Sequence, residues 1–294
     1  MLATSMPNVR KVDEVKFDNY MRKILCILCF VIGNLCLAQA RTENVDIASP
    51  RGTLKAVLQV PTLAEGQRVP MAIICHGFMS NKNSALIQRL ADSLEAHGIA
   101  SVRFDFNGHG ESYGRQQEMT VPREIEDAKC VFDYVRRLPY VGTIAFVGHS
   151  QGGVVAAMTA TQLGSEAVGV LCLLSPAAVL RDDALRGNLF GTHYDASRPP
   201  AEVTILGGAY TIGRDYVVTA QSLPIYETAR QYDGPALVIH GKADDVVPYT
   251  YGKRFYDDLR HARLCLLDGE DHMYDGRESR PAHLVAEFLE RELK

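Results

Sequence analysis

"IAFVGHSQGGVVAAM", residues 144–158, is an apolar run broken at its centre by glycines, a histidine, a serine and a glutamine. Ile144 to Val147 have the composition of a buried strand, and Val154 to Met158 that of a buried helix. Between them, Gly148-His149-Ser150-Gln151-Gly152 supplies G-x-S-x-G at a strand-to-helix junction, the context of a nucleophile elbow. The glycines allow a sharp turn, which is expected to strain Ser150 and hold its Oγ above the sheet. A helix starting at Gln151 would aim backbone N–H groups at negative charge developing nearby.

A serine hydroxyl is a weak nucleophile without a base, and the base needs an orienting acid. Downstream, "VIHGKADDVVPY" places Asp244 and Asp245 just after one apolar run, and "LLDGEDHMYD" places His272 just after the next. Serine, acid and histidine therefore occur in the order that a G-x-S-x-G elbow requires, each at the carboxyl end of a strand, where open α/β sheets assemble their sites. The expected triad is Ser150, His272 and a carboxylate. Gly241, Asp244, Val247 and Pro248 resemble the G-x-x-D-x-x-V-P segment of many α/β hydrolases, which favours Asp244 over Asp245. His76-Gly77-Phe78 resembles the H-G-x turn that donates to the oxyanion in that superfamily. The Phe78 and Gln151 backbone N–H groups are the expected oxyanion hole. His76 and His109 are read as structural residues that shape their loops.

Around the elbow, short β-rich runs alternate with amphipathic ones. "VDIAS" and "LKAVLQV" about Pro50-Arg51-Gly52 read as a hairpin. Strands are expected at 71–77, 99–106, 143–149, 169–175, 235–241 and 262–269, and helices at 84–97, 121–137, 151–163, 250–259 and 280–293. Strand–helix alternation predicts an α/β fold with a mostly parallel, doubly wound sheet. One connection breaks the rhythm. Residues 178–233, between the sixth and seventh strands, are too long for a structureless loop inside a compact domain and predict a lid insertion.

The whole chain has 294 residues, 47% of them hydrophobic and 22% charged, with a formal net charge of −4. A single globular domain is expected, with no basic tract that would advertise nucleic acid or a membrane surface. From Met21, "MRKILCILCFVIGNLCLAQA" has a basic start, an apolar stretch and Ala38-Gln39-Ala40, the pattern of a secretory signal over 21–40. Residues 1–20 are then a non-native extension, 41–294 the hydrolase domain, and the location secreted or periplasmic. Cys75, Cys130, Cys172 and Cys265 remain after cleavage. They are read as small buried hydrophobes rather than a disulfide framework. No C-x-x-C or His-x-x-x-His spacing remains after cleavage and no G-x-G-x-x-G fingerprint occurs, so no metal and no cofactor is expected.

Longer stretches resemble the bacterial feruloyl (cinnamoyl) esterases: "RFDFNGHGES" at 103–112, "EMTVPREIEDA" at 118–128, "GHSQGG" at 148–153, "LSPAAVLRDDALRGN" at 174–188, "TAQSLPIYE" at 219–227 and "HGKADDVVPY" at 240–249. The resemblance implies an α/β-hydrolase fold and hydrolysis of hydroxycinnamate esters of plant cell-wall sugars, with the lid walling the acyl pocket. By position it implies that Asp183 and Tyr216 contact the phenolic end of the acid, whereas Phe190 stands where some relatives carry a polar group. The expected partner is a small aromatic ester or feruloylated oligosaccharide, with no nucleic acid and no membrane after signal cleavage; a homodimer is left open. A general carboxylesterase or acetyl esterase, a serine peptidase on the same scaffold, and a noncatalytic hydrolase-fold binding protein are the alternatives.

Overall fold

The computed structural model describes residues 40–293. The expected extension and export signal fall, Ala40 apart, outside the described residues. The chain opens with an antiparallel hairpin, β1 (Arg41–Ser49) and β2 (Gly52–Val60), followed by β3 (Val69–Cys75), β4 (Ala100–Phe104), β5 (Val141–His149) and β6 (Val170–Leu174). Four short strands belong to an insertion: β7 (Asn188–Leu189), β8 (Thr192–His193), β9 (Glu202–Ile205) and β10 (Tyr210–Gly213). Then β11 (Ala236–Gly241) and β12 (Ala262–Leu267) complete an eight-stranded sheet of order β1-β2-β4-β3-β5-β6-β11-β12. From β4 to β12 every neighbouring pair is parallel, and β2 runs antiparallel to both β1 and β4.

Strict alternation along the central strands divides the core in two. Met71, Ile73 and Cys75 of β3 and Ile144 and Phe146 of β5 face one layer, while Ala72, Ile74, Ala145 and Val147 face the other. Both layers are apolar because helices cover both faces. The first layer holds α2 (Val121–Val135), α3 (Gln151–Leu163) and α7 (Tyr249–Asp258), and the second holds α1 (Ala85–Ala96) and α8 (Ser279–Glu292). Phe104 and Phe146 are fully buried, and burial of such a ring contributes about 1.5–3 kcal/mol each. Thr120 caps α2 by accepting the Arg123 N–H at 3.3 Å. Helix α3 is buried without a break from Gln151 to Ala160, because the sheet lies beneath it and the insertion and α2 enclose it.

The connection between β6 and β11 is ordered. It contains α4 (Val179–Arg186), the hairpins β7–β8 and β9–β10, then α5 (Arg214–Gln221) and α6 (Ile225–Ala229). The part up to α5 lies over the carboxyl ends of the strands and docks on residues 116–117, where Gln116 Oε1 accepts the Thr211 N–H at 3.2 Å. From Ile225 onward the connection belongs to the body. The Tyr226 hydroxyl donates to Tyr251 C=O at 3.2 Å, and buried Tyr232 donates to Val168 C=O at 2.9 Å. The lid portion is therefore shorter than 178–233.

Of the four cysteines among the described residues, all free, Cys75 and Cys172 are buried as expected, but Cys130 and Cys265 are only half-buried. Cys130 lies on the rim of α2 and Cys265 on the edge strand β12, which is covered incompletely along its length. Among the described residues no helix is long and apolar enough to cross a membrane.

Candidate active site

Ser150 sits between β5 and α3 at φ 56° and ψ −124°, a conformation costing about 1–3 kcal/mol that persists only where its surroundings enforce it. Here the enforcement is backbone bonding. The Ser150 N–H donates to Leu174 C=O at 2.9 Å, and its C=O accepts from Gly153 N–H at 2.9 Å and Ala177 N–H at 3.0 Å. The turn also demands glycine. A Cβ on Gly152 would stand 2.3 Å from the His76 carbonyl oxygen, and one on Gly77 would stand 2.9 Å from Ser150 Cβ. The His76-Gly77-Phe78 turn thus abuts the elbow. Phe78, on that turn, and Gln151, opening α3, line one cavity together with Ser150.

The hydroxyl is paired. His272 Nε2 lies 2.9 Å from Ser150 Oγ, and His272 Nδ1 lies 2.8 Å from Asp244 Oδ2. Asp244 follows β11 and His272 follows β12, so adjacent parallel strands deliver acid and base to the same edge. The remaining Asp244 oxygen, Oδ1, accepts the N–H groups of Val246 at 3.0 Å and Val247 at 2.7 Å. Burial alone would raise the pKa of this carboxyl; hydrogen bonds from His240 and His272, the His272 charge and the Val247 N–H outweigh it and hold the carboxyl well below the usual carboxylate range. Asp245 is exposed and lines the cavity beside Ser150. Glu270 is ion-paired to Arg280 instead, and Asp271 accepts the Asp275 N–H.

A cavity of about 370 Å³ opens beside Ser150, walled by Phe78, Leu180, Asp183, Leu189, Phe190, Tyr216 and Val247 among others. Phe78 and Phe190 stack at 5.5 Å with their planes 12° apart, and Tyr210 and Tyr216 pack on the same Phe78 ring. Both residues expected at the phenolic end, Asp183 and Tyr216, line this cavity. Tyr216 is already engaged, its hydroxyl donating to Gln151 Oε1 at 2.8 Å; its oxygen can still accept. Asp183 is partly buried, which raises its pKa, and Arg186 at 3.9 Å partly offsets that.

Residues 67–194, which contain the elbow but neither Asp244 nor His272, match the model of the serine aminopeptidase (S33) family. The structure of Est1E from Butyrivibrio proteoclasticus with ferulic acid bound superposes with a TM-score of 0.80 at 29% identity, over 85% of this chain and 99% of that one. The chain belongs to the α/β-hydrolase superfamily. Among curated relatives of this hydrolase, human ABHD12B is 24% identical over 195 residues, 66% of this chain and 51% of that protein. The lysophosphatidylserine lipase ABHD12 of Xenopus tropicalis is 24% identical over 202 residues, 66% of this chain and 48% of that protein. The chain thus spans about half the length of these two relatives. Sheet order, elbow and the Ser150–His272–Asp244 pairing have the arrangement of an α/β serine hydrolase.

In this α/β hydrolase His76 is structural, as expected. It is buried, its Nε2 accepts the Phe106 N–H at 3.2 Å, and its Nδ1 lies 2.8 Å from the Gly77 carbonyl. Burial and neighbouring His109 push its pKa down to about 3, so it stays neutral. His109 is likewise buried, its ring edge-on to that of His76.

Three residues near the site were not anticipated from sequence. His149 Nε2 lies 2.8 Å from the carbonyl of His272 and fixes the backbone of the base. His240 reaches Asp244 Oδ2 at 3.1 Å. Glu124, on α2, accepts the Gln151 side-chain N–H at 2.8 Å, so that α2, the elbow and lid residue Tyr216 form one chain of hydrogen bonds. Nothing local marks Glu124 or His240, because each lies within an apolar or amphipathic run, and the elbow pattern marks His149 only as a variable position. Among the described residues no cluster of His, Cys, Asp or Glu is arranged to hold a metal.

Glu124 gives the fold a pH dependence. Burial dominates and, despite the bond from Gln151, pushes its pKa from 4.5 to about 8. The folded state therefore holds a proton that the unfolded chain loses, and stability falls as pH rises between those two values, levelling off above them. Glu124→Gln keeps the shape and removes the titration. In urea unfolding at pH 5 and pH 8, the variant is expected to gain stability relative to wild type on going to the higher pH; an unchanged difference between the two proteins would show that Glu124 is ionised in the fold.

Proposed function

We propose that this serine hydrolase cleaves carboxylic esters of hydroxycinnamic acids through an acyl-enzyme on Ser150. The observation that carries the reading is the aromatic-walled cavity beside Ser150, with a partly buried carboxylate in its wall, in a chain similar over nearly its whole described length to a protein whose structure holds ferulic acid. The reaction follows from the geometry. His272 Nε2 takes the Ser150 proton as Oγ attacks the ester carbonyl, and Asp244 keeps Nδ1 protonated and stabilises the imidazolium. The Phe78 and Gln151 amides receive the oxyanion, with the α3 N-terminus adding its dipole. His272 then protonates the leaving alcohol and, in the second half, activates water against the acyl-enzyme.

Phe78, Phe190 and Tyr216 supply flat apolar walls for a cinnamoyl ring, and Asp183 an acceptor for a phenolic hydroxyl. An exported enzyme acting on plant cell-wall fragments completes the reading, supported by the sequence pattern at 21–40. Kinetics on methyl ferulate, methyl cinnamate, nitrophenyl acetate and a peptide amide test it. A kcat/KM that favours methyl ferulate supports the reading, and a preference for the peptide amide or for the acetate overturns it.

Asp183→Ala sharpens the comparison. A buried hydroxyl that loses its hydrogen-bond partner costs about 1–3 kcal/mol, so methyl ferulate should lose that much in kcat/KM while methyl cinnamate, with no hydroxyl, loses little. Equal losses on both esters would reduce Asp183 to a structural part of the lid.

A further inference from the structure

We infer that His240 is a positioning residue for the acid of the triad: an imidazole whose Nε2–H is aimed between the Val247 carbonyl and Asp244 Oδ2, the oxygen it shares with His272. This rests on the triad reading above. His240 is the penultimate residue of β11 and is fully buried. Its Nε2 lies 2.9 Å from the Val247 carbonyl oxygen and 3.1 Å from Asp244 Oδ2. A carbonyl oxygen only accepts, so the proton is on Nε2 and is directed between the two oxygens. The other nitrogen, Nδ1, is buried with no hydrogen-bond partner. Helix α7 seals it, since a Cβ on Gly252 would lie 2.3 Å from that atom. A proton on Nδ1 would have neither an acceptor nor room for water, and an unsatisfied buried donor is costly. The ring is thereby held with its proton on Nε2.

Two consequences follow for the chemistry. His240 bonds residues 244 and 247 at once, closing the loop whose amides grip Asp244 Oδ1, so the carboxylate is fixed at both oxygens. It also draws charge on Oδ2 away from the His272 Nδ1–H, 2.8 Å from the same atom. Without it the charge on Oδ2 would face the His272 Nδ1–H alone and stabilise the imidazolium more strongly. The other titratable groups packed around the cluster are His149, Tyr274 and Glu270. His149 is held neutral, with a pKa of about 3, by burial and by His272. Tyr274 bonds Ser175 and Ile239, and Glu270 pairs with Arg277 and Arg280. At Asp244 Oδ2 the hydrogen bonds come from His240 and His272.

The test measures kcat and KM for nitrophenyl acetate from pH 5 to 9 in the full protein, in His240→Leu, His240→Gln and Ser150→Ala, and in His240→Leu combined with Asp244→Asn. His240→Leu is expected to lower kcat about tenfold, the scale of one hydrogen bond to a charged group, at unchanged KM. Its acid limb should move up by roughly one pH unit. His240→Gln, whose amide nitrogen can reach the place of Nε2, should recover most of both effects. In the Asp244→Asn background, His240→Leu should add nothing further. His240→Asn, polar but too short to reach Oδ2, serves if the leucine variant does not fold, with the same expectation. An unmoved acid limb in a folded Leu or Asn variant, no recovery by Gln, or an additive loss in the double variant overturns the assignment. Activity surviving in Ser150→Ala would instead sink the triad reading itself.

Discussion

Ser150→Ala is expected to lower kcat on any ester by about 10⁴- to 10⁶-fold, leaving only what binding and the oxyanion donors contribute. The change removes one atom whose hydrogen bond runs to His272 Nε2. Alanine occupies the φ 56° position no less easily than serine, because the two share a Cβ and the backbone bonds to Leu174, Gly153 and Ala177 do not involve the side chain. Near-native circular dichroism with loss of both nitrophenyl acetate hydrolysis and fluorophosphonate labelling is the expected outcome. A folded variant keeping a tenth of the activity would remove Ser150 from the mechanism and revive the reading of a noncatalytic binding protein with incidental hydrolysis elsewhere.

The parts of this architecture that can be read without coordinates are those written in local patterns. The elbow is local: five residues fix a turn that tolerates only glycine at Gly152, and flanking runs declare the strand and the helix. Asp244 and His272 could be placed because each follows an apolar run that pairs in parallel with its neighbour. The insertion resisted reading for the opposite reason. Its strands β7 and β8 have two residues each, too short for any period, and Phe190 between them takes φ 47°, a left-handed conformation that its side chain does not advertise. That conformation nevertheless brings its ring onto Phe78, so it fills a position where a polar group was the comparison. His240 was hidden differently. In "ALVIHG" every residue is buried, and an apolar run cannot reveal which one meets the carboxylate of a later loop. Cys130 and Cys265 failed in the reverse sense, since a cysteine on an amphipathic helix, or in an apolar run on an edge strand, need not be covered. Local chemistry was legible; contacts between elements distant in sequence were not.

Asp244→Asn is expected to lower kcat by about 10⁴-fold, against a small effect for Asp245→Asn, and the hydrogen-bond inventory gives a reason beyond loss of charge. Each oxygen of Asp244 faces two donors: His272 Nδ1 and His240 Nε2 at Oδ2, Val246 and Val247 N–H at Oδ1. An asparagine amide must place its NH2 on one side or the other, where it meets N–H groups and nothing that accepts, unless a ring changes tautomer. His240 cannot readily change, because Val247 C=O needs its proton on Nε2. His272 can: with Nδ1 stripped to accept from the amide, Nε2 carries the proton toward Ser150 and the base is lost. The alternative, with NH2 against Val246 and Val247, pulls the loop open. Either outcome also removes a stabilising charge. The folded Asp244 pKa is depressed, so its contribution is present above the unfolded value of about 3.9 and is lost as pH falls through the folded one; wild type should therefore exceed the variant in stability at pH 7 by more than at pH 3. Asp245, exposed at the mouth of the cavity, has none of these constraints, and equal, mild effects at both positions would mean that another group orients His272.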